Sequence, residues 1–97
     1  MPAPTRVVAV PARIGRADVR SVVARCLDEA SAGGPLSADC SDVADAALPT
    51  IDVLARLALA GARERRPFRL EHASPELLDL LALCGLATVL GRERGRR

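Results

Sequence analysis

Apolar positions recur in two rhythms along this chain, and the switches between them divide it into short strands and helices. Arg6-Val-Val-Ala-Val10 is a continuous β-branched run and predicts a buried strand. Pro11 to Gly15 forms the exit loop. From Asp18 the period lengthens: Val19, Val22, Val23, Cys26, Leu27 and Ala30 share one helical face, opposite Asp18, Arg20, Ser21, Arg25 and Asp28. Gly33-Gly34 stops this helix, and Pro35 prevents its continuation. Leu36-Ser-Ala-Asp-Cys40 is short and partly polar, but it lies between two helices, where a parallel sheet needs a strand. A loop from Ser41 to Pro49 carries Asp42 and Asp45. Ile51 to Arg65 predicts a second helix, with Thr50 as its N-cap and Asp52 suiting the positive end of the dipole. Pro67 to His72 predicts a third strand, Phe68 and Leu70 inward, Arg69 and Glu71 outward. Ser74 caps a third helix, with Pro75 at its first position and Glu76 following. Leu77, Leu80, Leu81 and Cys84 form its core stripe, and Gly85 fits the left-handed position beyond its end. Leu86 and Val89-Leu90 close the pattern, the latter as a short last strand.

This alternation, β-α-β-α-β-α with a final β, predicts an α/β fold. It has a small, mostly parallel sheet of about four strands, three main helices and right-handed crossovers. Residues 6–90 make the domain, preceded by a disordered leader at 1–5 and followed by a flexible basic tail at 91–97. The second helix is apolar over most of its girth. Only Asp52, Arg56 and Arg63 form a polar stripe, so it needs cover on more than one side. One cover is the sheet; the other is a neighbouring helix or a partner protein.

Composition narrows the function classes. Ninety-seven residues suffice for one domain, in which nearly every apolar position is needed for folding. Phe68 is the only aromatic residue, so stacking on nucleic-acid bases is nearly excluded. All fourteen basic residues are Arg, yet the net charge of +2 is too weak to argue for nucleic acid. The basic excess sits in Gly91-Arg-Glu-Arg-Gly-Arg-Arg97, either a solvated terminus or a contact for an acidic partner or anionic lipid. Cys26, Cys40 and Cys84 are odd in number and lack metal or redox spacing. They read as buried free thiols of a reducing, cytoplasmic compartment. No signal-peptide pattern is seen and no apolar run approaches ~20 residues, so neither secretion nor a membrane span is expected.

No constellation of catalytic residues stands out. Asp39, Asp42 and Asp45 lack the ligand number and glycine of a calcium loop and read as turn-forming aspartates. His72, the only histidine, has no companion at catalytic or ligand spacing and reads as strand-end packing. Gly33-Gly34 is a turn rather than a phosphate loop. The expectation is a protein that is not an enzyme and binds neither cofactor nor metal.

One ordered series carries a family resemblance. It runs from the Asp-rich loop to Val53-Leu54-Ala55-Arg56-Leu57, then a strand ending Glu71-His72-Ala73. Ser74-Pro75-Glu76-Leu77-Leu78 and Cys84-Gly85-Leu86-Ala87-Thr88-Val89-Leu90 complete it. Over roughly residues 6–90 the chain resembles the STAS domain, shared by sulfate transporters and anti-sigma-factor antagonists. It looks most like compact actinobacterial members and the STAS subunit of bacterial lipid-transport ABC complexes. The resemblance implies a non-catalytic interaction module involved in partner switching and transcription regulation. Antagonists of this family bind an anti-sigma factor that is also a kinase, which phosphorylates a Ser or Thr at the start of the second helix. Other members dock on a transporter ATPase. The family's Asp-Ser-Ser-Gly pattern is replaced here. Counting back from Ser74-Pro75 without gaps sets Ala47 at the Asp position and Pro49 at the acceptor; a shift of one residue makes Thr50 the acceptor. The first strand of the usual N-terminal hairpin is missing, which leaves an edge open to a second copy and hence to a homodimer.

The partner face implied is the Asp42–Thr50 loop and the second helix through Leu59. Leu48, Val53 and Leu57 are its apolar anchors, and Asp45, Asp52 and Arg56 its rim, with Pro49 and Thr50 between them. Thr50 has two readings. As an N-cap it stabilises the helix by about 1 kcal/mol; as a phosphosite it sets negative charge at a positive helix end. The rival classes are a structural subunit docked on an ABC-type ATPase, using the same face, and a small ligand-binding domain.

Overall fold

A computed structural model describes residues 4–86. Its elements in chain order are β1 (Arg6–Ala9), a 3-10 turn at Arg16–Asp18, α1 (Val19–Glu29), β2 (Leu36–Asp39), α2 (Leu48–Arg63), β3 (Phe68–Glu71) and α3 (Pro75–Leu83). The alternation is the one expected. The strand Val89–Leu90 and the tail 91–97 lie outside the described residues; of the leader, Pro4 and Thr5 are exposed and precede β1.

Among the described residues the sheet has three parallel strands in the order β1-β2-β3, the fourth expected strand falling outside them. Arg6, Leu36 and Phe68 stand in register, as do Val8, Ala38 and Leu70. The strand expected chiefly from its position between two helices is therefore the central one. Leu36, Ser37 and Ala38 are fully buried, because a strand flanked on both sides is shielded even where its side chains are small. Val8, Val10, Leu36, Ala38 and Cys40 supply the sheet's share of the core, with Phe68 and Leu70 packed against it.

Successive right-handed crossovers in this strand order place both connecting helices on one face, and α1 packs along α2 there. Val19, Cys26 and Ala30 of the α1 stripe are fully buried, and Val22, Val23 and Leu27 pack at its margin. Gly33 and Gly34, both at positive φ (88° and 87°), turn the chain back towards β2. The Arg66 guanidinium holds this corner. Its Nε donates to the Gly34 carbonyl at 2.7 Å and its Nη2 to the Ala30 carbonyl at 2.8 Å. The latter is the C-cap of α1, so a cation sits at the negative end of that helix.

α2 begins at Leu48, three residues before the expected Ile51, with Ala47 as N-cap and no side-chain capping bond. Proline is tolerated in a first turn, where its missing N–H costs nothing, so Pro49 lies inside the helix rather than ahead of it. Thr50 is accordingly not the N-cap: it lies within the first turn and is 1% exposed. The inward face is Thr50, Ile51, Val53, Leu54, Leu57, Ala58 and Gly61. Val53 and Leu57, expected to face a partner, are core residues, because their spacing puts them on the same side as Leu54 and Gly61. The sheet gives α2 one cover and α1 gives it the second.

α3 matches its expected caps. Ser74 Oγ accepts from the Leu77 N–H at 3.1 Å. At the other end the Leu86 N–H reaches the Leu81 carbonyl at 2.9 Å and the Gly85 N–H the Ala82 carbonyl at 3.0 Å, around Gly85 at φ 73°. This is a Schellman ending. Leu77 and Leu81 enter the core, while Cys84, expected on the same stripe, is the C-cap residue and is exposed.

Candidate partner-binding site

The two crossover helices run parallel, so both begin at the carboxyl edge of the sheet, the edge at which open α/β sheets build their binding sites. The leading end of α2 thereby meets the 3-10 turn and first residue of α1. Arg16, Val19, Leu48, Pro49 and Asp52 line a cleft of about 370 Å³ between them. A second hollow of about 200 Å³ lies beside it, lined by Ala12, Arg13, Ile14, Asp45, Ala47 and Thr50.

Away from the core, α2 presents Leu48, Asp52, Arg56, Leu59 and Arg63, spaced to form one outward stripe. Leu48 is 64% exposed and Leu59 50%. Exposing one leucine is ordinary. Leu48 is different because it overhangs a cleft with Val19 and Pro49 in its walls. Charged groups border it: Arg56 Nε donates to Asp52 Oδ1 at 2.8 Å, and Arg13 lies 3.6 Å from Asp45 across the hollow. Both pairs are substantially exposed, so they shape the rim more than they stabilise the fold.

Of the residues named from sequence, Leu48, Pro49, Asp52, Arg56 and Asp45 come together at this end of the molecule. Thr50 lines the hollow from within the first turn; Val53 and Leu57 lie behind it in the core. Arg16 and Val19 were not anticipated. Nothing local marks them, because their role comes from the parallel pairing of two helix starts about thirty residues apart in sequence.

The same edge carries Asp39, Cys40 and His72. Asp39 Oδ1 accepts from the Ser41 N–H at 3.0 Å, the expected aspartate turn, and sits 3.1 Å from His72 Nδ1. The Ser41 N–H, followed by His72, holds the Asp39 carboxyl below its ordinary value. His72 is thus an exposed strand-end residue paired to a carboxylate, at φ 60°, rather than a packed one. Burial, with the Asp39 charge second, pushes the Cys40 thiol up to about 11. A thiol kept protonated is a poor nucleophile near neutrality.

Comparison with family models finds one described as Mlab, STAS domain, matching residues 3–91. Neither the curated proteins nor the solved structures give a match.

Proposed function

The chain belongs to the STAS family, and from that premise we propose that it is a non-catalytic docking module that binds a partner protein through the leading ends of α2 and α1. The observation that carries this reading is Leu48, 64% exposed over a cleft with aliphatic walls and a charged rim. An apolar anchor ringed by polar groups is the usual anatomy of an interface centre.

The reading favoured is constitutive docking, of the kind a structural subunit makes on a transporter ATPase, over a phosphorylation-switched antagonist. Two observations support it. Counted back without gaps from Ser74-Pro75, Pro49 falls at the acceptor position that the resemblance implies, and it carries no hydroxyl. Thr50, the acceptor after a one-residue shift, is 1% exposed inside the first turn of α2, so a kinase would have to open that turn to reach it.

The test is co-purification of the tagged chain with its native partner. Leu48→Asp should lose the partner while keeping the wild-type circular dichroism spectrum, because Leu48 contributes little to the core. Retention of the partner by a folded Leu48→Asp variant would refute the docking face. Recovery of a phosphoryl group on Thr50 of the native protein would refute the constitutive reading alone.

A further inference from the structure

We draw no further inference here: the strongest candidate, the surface patch on the outer face of α3 where Leu78 and Leu83 stand exposed alongside Asp79, carries nothing because nothing among the described residues shows what covers it.

Discussion

Arg66 ties the end of α2 to the end of α1 through two carbonyls, with its side chain only 9% exposed. Its removal takes the side-chain donor from the Gly34 carbonyl and leaves the Ala30 carbonyl only the Gly33 N–H at 3.3 Å, so Arg66→Ala should destabilise the fold by about 1–3 kcal/mol in a urea titration. Arg66→Lys should recover only part of this, since an ammonium lacks the planar fork that spans two acceptors. The thiols separate by exposure. Cys26 and Cys40 are buried and Cys84 is exposed. Burial also raises the pKa of the first two, which keeps them protonated. Native protein at neutral pH should therefore label at Cys84 with a thiol reagent, and at Cys26 and Cys40 only after denaturation; mass spectrometry of tryptic peptides reads which. The folded Cys40 value of about 11 lies above the ordinary 9.0, so its stabilising contribution is intact below pH 9. That contribution is lost as pH climbs through 11. Replacing Cys40 by Ala should flatten this alkaline limb of stability.

Among the elements, those with local punctuation were legible in sequence and those set by tertiary placement were not. Ser74-Pro75 and Gly85 fixed both ends of α3, because caps are written in the residues that make them. The start of α2 was missed by three residues: Pro49 reads as a breaker but sits where a first turn accepts it, and no capping side chain marks the true boundary. That shift decides the fate of Thr50. It also explains why Val53 and Leu57 were assigned outward, since the face of an almost wholly apolar helix cannot be phased from its pattern. The far end of α2 stores strain. Arg65 adopts φ 57° just beyond the last turn, a conformation that costs an L-residue about 1–2 kcal/mol. Arg65→Gly relieves it against a smaller entropic loss, and should raise stability by about 0.5–1 kcal/mol, seen as a higher urea midpoint with unchanged slope.

For the whole molecule, the family and the β-α-β-α-β-α order follow from motifs and periodicity, whereas the site depends on topology. Parallel strands in the order β1-β2-β3 bring two helix starts together, and the cleft beneath Leu48 exists only because of that pairing. Among the described residues β1 is an edge strand with no partner on its outer side, and its Val7 is 55% exposed. The proposed docking face is the cleft and not that edge. The most direct test is hydrogen exchange of the full chain, free and with its co-purified partner, read peptide by peptide. Slowing confined to residues 12–20 and 43–56 is the predicted result. Slowing across residues 6–10 with residues 43–56 unchanged would contradict the account.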